Sequence, residues 1–281
     1  MQGQENSESS HRGERNEGTA SREPQPPRDE QWFQAVKAHV SFPRWGLYET
    51  TPPDGDVPAL ERYLHGLRVS EALYPSLHLL ELTLRNRMHE ELTLHCQRIY
   101  RSDPHYAGQP WFQIPPFLGP SAGRRTDVQH QVNKAFDQIK CKPTDALTVQ
   151  QVNRVVANLG FSAWTCFLMQ SRHESLWNTG VLPRIFRRRP RNLSRPHVES
   201  RLNELRRLRN KVFHHEPLAY DATYRFGGPA HPLCIWHGHI VETIGWMSPA
   251  MWTLLEQVDR FPHVYDCQRP GCPCGHTPAA P

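Results

Sequence analysis

An all-α bundle is the fold class that the sequence predicts, and three observations predict it. Leu77, Leu80, Leu84, Met88 and Leu92 recur at spacings of three and four, the repeat of a helix with one buried stripe. Several further segments are bounded by helix-starting and helix-stopping residues. Strand-like alternation is nearly absent, which favours helix packed on helix.

The elements follow in chain order. Residues 1–30, "MQGQENSESSHRGERNEGTASREPQPPRDE", hold almost no aliphatic side chains and cannot bury enough apolar area to offset their ordering entropy, so a disordered N-terminal arm is expected. Residues 31–54 lead into the domain, and Asp56 and Pro58 read as a helix start. "ALERYLHGL" reads as a short helix. The leucine-striped helix then runs from about residue 71 to 100, with Pro75 in its first turn or marking a kink. A Pro- and Gly-rich loop follows. Helical patterns resume at "TDVQHQVNKAFDQI", opened by Thr126 or Asp127, and at "TDALTVQQVNRVVANL", opened by Thr144 or Asp145. Gly160 separates these from "FSAWTCFLMQ", apolar on most sides and therefore central. "RIFRRRPRNLSRP" reads as a basic loop. Ser194 and Pro196 open "HVESRLNELRRLRNKVFHH", which Pro217 closes. "HIVETIGWMSPAMWTLLEQV" reads as two short helices broken near Pro249. The helical domain thus covers residues 55–260, and an irregular, flexible tail is expected over 261–281.

The chain has 281 residues, a formal net charge of +5 and 33 basic residues, all Arg except Lys37, Lys134, Lys140, Lys142 and Lys211. That charge permits a nucleic-acid partner without implying one. No segment has the apolar core of a secretory signal or the length to span a bilayer, so a cytoplasmic protein with no membrane partner is expected. The seven cysteines are odd in number, and Cys96, Cys141, Cys166 and Cys234 lack any framework spacing, which points to thiols.

The chemistry-bearing cluster is "RNKVFHHE", residues 209–216. Val198, Leu202, Leu205, Leu208 and Val212 share the face that packs on the leucine-striped helix and leave the other faces for charge. Asn210 and His214 stand one above the other, while Arg209 is offset from Asn210 by about 100° of rotation. A histidine can move a proton at neutral pH, and an arginine beside it can hold a phosphate and stabilise charge growing on its oxygens. The pair suits metal-free cleavage of RNA by its own 2′-hydroxyl, the group that separates RNA from DNA. The plainer alternative leaves Arg206, Arg207 and Arg209 as solvated cations at a helix C-terminus, with His214 and His215 as surface caps.

"SLHLLELTLRNRMHEEL" at 76–92 and "LRRLRNKVFHHEPL" at 205–218 together resemble the Abi-like family of abortive-infection proteins, a branch of the HEPN superfamily. The resemblance covers most of residues 55–260 and implies a HEPN-like helical bundle that is usually dimeric, with two motifs facing across the interface. It implies a ribonuclease site in which Arg209 and His214 are catalytic and Asn210 is the polar residue after the arginine. The supporting or RNA-binding set is Glu81, Arg85, Asn86, His89, Arg206, His215 and Glu216. Glu81, Arg85 and His89 form one polar stripe, read either as a helix-stabilising row or as one wall of the cleft, with Glu81 orienting an arginine. The implied function is a metal-independent endoribonuclease of toxin or anti-phage type, acting on RNA as a homodimer and answerable to an antitoxin or phage component. The alternative is a non-catalytic helical module that binds RNA or protein. No cofactor is implied.

Other stretches carry weaker signals. Cys267, Cys272, Cys274 and His276 are ligand types that zinc accepts, but their spacing suits a flexible tail better than a metal knuckle. The basic loop can add salt-dependent affinity for a phosphate backbone, or be merely solvated. No phosphate-binding glycine loop or pair of catalytic carboxylates is present, which argues against nucleotide hydrolases and glycosidases.

Overall fold

The computed structural model describes residues 29–50, 55–119, 128–218, 223–226, 231–267 and 272. The chain divides after Pro43 into two compact units. In the first, helix α1 (Glu30–Val40) is opened by Asp29, whose carboxylate accepts from the Trp32 amide at 2.9 Å. The single turn α2 (Phe42–Trp45) spans the division. Of the expected disordered arm over 1–30, residues 1–28 lie outside the described residues, and Asp29 and Glu30 instead form the cap and first residue of α1.

The second unit is built on α3 (Asp56–Ile99). The sequence predicts two helices here, and the structure has one, about 66 Å long at 1.5 Å per residue. The intervening Arg68, Val69 and Ser70 include no helix breaker, so the chain continues through them. Pro75 therefore sits inside the helix, not in its first turn. Its ring removes one backbone hydrogen bond, while Ala72, Leu73, Ser76 and Leu77 on either side are buried and hold the helix through it. All five stripe residues from Leu77 to Leu92 are buried at 1% exposure or less.

Around α3 the chain lays down short helices. After α4 (Pro115–Leu118) come α5 (Val128–Ile139) and α6 (Val149–Asn158), which pack on each other. The cap of α6 is Thr148, in a reciprocal pair with Gln151, rather than Thr144 or Asp145. Asp145 instead accepts from the Lys142 amide at 2.7 Å and closes the preceding turn. The expected caps of α5, Thr126 and Asp127, lie outside the described residues. Helix α7 (Phe161–Cys166) is central, with Phe161, Ala163 and Trp164 buried. Helix α8 (Val181–Ile185) takes the first two residues of the expected basic loop, because Ile185, like the Phe186 that follows it, is fully buried.

Helix α9 (Arg195–Phe213) begins at Ser194 as read from sequence, and Val198, Leu202, Leu205, Leu208 and Val212 are its buried face. It packs on α3, α7 and the later α10 (Leu233–Met247). Between α9 and α10, the two-residue strands β1 (Thr223–Tyr224) and β2 (His231–Pro232) pair antiparallel. Helix α11 (Pro249–Glu256) follows the expected break, where the Ser248 hydroxyl accepts from the Met251 amide. Helix α12 (Phe261–Val264) corrects the flexible-tail reading for residues 261–267. Phe261 and Tyr265 are fully buried, and the Phe261 ring stacks on His237 at 4.4 Å. Two buried aromatics outweigh the Pro- and Gly-rich composition that follows them. Among the described residues, no helix is long and apolar enough to cross a membrane.

Candidate functional site

The leucine stripe of α3 and the apolar face of α9 pack together, and this fixes what meets along their shared edge. Glu81 lies one position after the buried Leu80, and Arg209 one position after the buried Leu208. The Glu81 carboxylate bridges both motifs. One oxygen accepts from Arg85 at 3.2 Å within α3, and the other from Nε of Arg209 at 3.2 Å across the helices. The side chains are 14% exposed for Glu81, 22% for Arg85 and 25% for Arg209, so two guanidiniums and one carboxylate reach solvent as a partly shielded, net cationic group.

An aromatic row extends this edge. The Arg209 guanidinium lies 4.1 Å from the centre of the Phe213 ring, a cation–π contact. Phe213 stacks on Tyr74 at 5.5 Å, and Tyr74 on His78 at 6.0 Å. Tyr74 is 51% exposed, so the row stays open to solvent beside the charged group. Sequence reasoning missed Tyr74, His78 and Phe213. Their signal was there: Tyr74, His78 and Glu81 are four and three apart on one helix face, and Phe213 is four past Arg209.

Arg209 and His214 occupy different directions. Helix α9 stays regular to Phe213, with His214 as its cap donating its amide to the Asn210 carbonyl at 2.9 Å. Five residues of regular helix put the two side chains about 140° apart around the axis. His214 is exposed and its imidazole makes no hydrogen bond among the described residues. His215 follows with φ 57°, the left-handed turn that swings the chain away before Pro217. Glu216 pairs with Lys211 at 3.1 Å. Asn210 lines a separate open cavity of about 400 Å³ with Arg207, Lys211, Tyr224 and Phe226. Within one chain, then, Arg209 is gathered to Glu81 and Arg85, while Asn210, His214 and Glu216 look out from the end of the helix.

The remaining sequence-read residues divide between the two. Asn86 is exposed. His89 leaves the polar stripe: its Nδ1 accepts from the Trp111 indole at 3.1 Å, and burial pulls its pKa below the ordinary value. It anchors the loop after α3 as a neutral acceptor. Arg206 is half-buried on α9 and lines a second cavity, between α7 and α9.

Part of the basic loop has an internal partner that sequence did not identify. Glu91, whose side chain is 4% exposed, accepts from Arg184 at 2.8 Å and lies 3.5 Å from Arg87 and 3.7 Å from Arg187. The cysteine cluster is not brought together among the described residues. Cys267 is buried, the Cys272 sulfur lies 3.8 Å from that of Cys234, and Cys274 and His276 fall outside the described residues. No group of metal-binding side chains is assembled among the described residues.

Comparison of the chain with protein-family models, with curated proteins and with solved structures finds no match, so the functional argument stands on the two motifs and on the geometry that joins them.

Proposed function

We propose that this chain is a metal-independent endoribonuclease of the Abi-like HEPN type, an abortive-infection or toxin effector that acts as a homodimer. One observation carries the reading: the Glu81–Arg209 ion pair at 3.2 Å joins two motifs 128 residues apart, the same two segments on which the resemblance rests. A carboxylate that fixes an arginine while leaving part of it in solvent is what phosphate recognition asks of a positioning group.

The chemistry follows from the side chains. Arg209 binds the scissile phosphate and stabilises charge on its non-bridging oxygens. The RNA 2′-hydroxyl attacks phosphorus, its proton passes to an imidazole, and the 5′-oxygen leaves with a proton from an imidazolium, giving a 2′,3′-cyclic phosphate and a 5′-hydroxyl. Two proton-transfer roles need two groups in one turnover. In a two-fold dimer, the exposed His214 of each copy can supply them, and Asn210, on the same face one turn earlier, holds the imidazole or the phosphate. The dimer also resolves the divergence within one chain, because His214 then works beside the Arg209 of the facing copy.

The test is cleavage of RNA in chelator by wild type, His214→Ala and Arg209→Ala, with oligomeric state read by light scattering. Loss of cyclic-phosphate product in His214→Ala, with RNA binding kept, supports the assignment; equal cleavage by wild type and His214→Ala removes His214 from catalysis. A second reading is favoured by the intramolecular engagement of Arg209: a helical RNA-binding module without turnover. It predicts a monomer whose binding is salt-sensitive, yields no product and is lost in Arg209→Ala.

A further inference from the structure

The second cavity, between α7 and α9, has an unusual lining. It is open to solvent, about 220 Å³ in volume, and is walled by Ser162, Thr165, Cys166 and Met169 on one side, the Cys166 thiol donating to the Ser162 carbonyl at 3.1 Å, and by Glu199, Asn203 and Arg206 on the other. Arg206 forms no ion pair or hydrogen bond among the described residues, and its Nε is buried without an acceptor. Burial, with Arg207 as a further positive neighbour, lowers its pKa from the ordinary value. A half-buried guanidinium without a counter-charge is costly, and proteins ordinarily pair it.

Its neighbours point the same way. The Ser162 hydroxyl and the Asn203 amide also make no hydrogen bond to another described residue, so two neutral donors stand idle beside the unpaired cation. Thr165 does not join them, since its hydroxyl donates to the Ser162 carbonyl at 3.0 Å. The one acid in the wall, Glu199, is committed to Arg195, which also donates to the Leu168 carbonyl and the Gln170 side chain. The cavity therefore offers one full positive charge and two spare donors, with its negative charge already neutralised.

We propose that this cavity is a phosphate-binding site in which Arg206 supplies the charge and Ser162 and Asn203 supply further donors. A planar fork plus two donors from two helices matches a tetrahedral oxyanion, whereas a carboxylate saturates with the fork alone. The exposed Met169 at the rim adds an apolar contact, so the natural occupant is a phosphate carried on an organic group. That phosphate comes either from a free monoester or from a strand passing over α9, because Arg206 lies one helical turn before Arg209. The site does not depend on ribonuclease activity and stands if no RNA is cleaved.

Calorimetric titration of the full chain with inorganic phosphate, uridine monophosphate and acetate at matched ionic strength tests the site. The expected result is saturable binding of phosphate and tighter binding of the monophosphate, weakened about tenfold or more in Arg206→Gln and severalfold in Ser162→Ala. Acetate is expected to bind weakly or not at all. Removing an unpaired buried charge should not unfold the chain, so Arg206→Gln is expected to melt at or above the wild-type temperature in phosphate-free buffer, and phosphate to raise the melting temperature of wild type alone. A 2′-O-methyl oligonucleotide without terminal phosphate identifies the source: if it competes with the monophosphate the site serves a strand, and if it does not the site serves a free monoester. No saturable phosphate binding, equal affinity for acetate, or unchanged affinity in both variants overturns the proposal.

Discussion

Two glutamates on one helix show how the same residue type takes different work. Glu81 and Glu91 each bridge arginines from α3 and from a second element, but Glu91 is nearly sealed at 4% exposure and Glu81 keeps a solvent edge at 14%. Glu91→Gln takes the counter-charge from Arg87 and Arg184, whose side chains are 23% and 33% exposed, and leaves an amide in a nearly sealed place, so the expected cost is about 2 kcal/mol, short of that for a fully buried pair. Glu81→Gln leaves Arg85 and Arg209 able to turn to water and is expected to cost about 1 kcal/mol. The order reverses in function: Glu81→Gln frees the guanidinium that meets the phosphate, and cleavage is expected to fall by about a factor of ten to a hundred. Urea denaturation of both variants, set beside their cleavage rates, checks the crossing. A larger stability loss in Glu81→Gln than in Glu91→Gln would make the Glu81–Arg209 pair structural.

At the scale of elements, the position of the site rests on how closely the chain after α9 approaches α3. Gly66 is helical, and a Cβ there would stand 2.6 Å from the Leu218 backbone oxygen and 3.5 Å from the Tyr48 ring. On an exposed helix face, Gly→Ala gains about 1 kcal/mol. Here the obstacle is backbone, which cannot rotate aside, and overpacking costs about 1–3 kcal/mol. Gly66→Ala is therefore expected to destabilise the protein and to displace Pro217 and Leu218, moving the end of α9 that carries His214. A lowered urea midpoint together with weakened RNA binding is the expected pair of results; a raised midpoint would show that the segment yields freely. The contact was invisible in sequence, because a glycine in "ALERYLHGL" reads as a helix end, not as room for a carbonyl that arrives 152 positions later.

For the whole molecule, what was legible follows from what local chemistry encodes. The apolar stripes of α3 and α9, the Ser194 start and the break near Pro249 are periodic or capping signals, and they sit where the pattern put them. The folded start of the tail and the Glu91 cluster depend on distant partners, so no window of sequence carried them, whereas the fusion of two expected helices into α3 was legible in the absence of a breaker at residues 68–70. The buried histidines give a global consequence of the same kind. His239 is pushed down to about 4 by burial, then by Arg201 and His231, and its buried Nδ1 has no hydrogen-bond partner. His89 and His95 are lowered as well, mainly by burial. In each case the folded chain holds the proton less tightly than the unfolded chain, so unfolding takes up protons and stability rises with pH. The contribution is full above about pH 6.5, the ordinary histidine value, and is lost as the pH falls from there toward 4; with solvent screening of the partly exposed His239 ring it amounts to about 1–2 kcal/mol. Urea midpoints measured at pH 7.5, 6.0, 5.0 and 4.5 are expected to fall steadily, and the fall to be shallower in His239→Phe, which has no proton to gain. Parallel profiles for the two proteins would show that His239 is not the group that acid titrates.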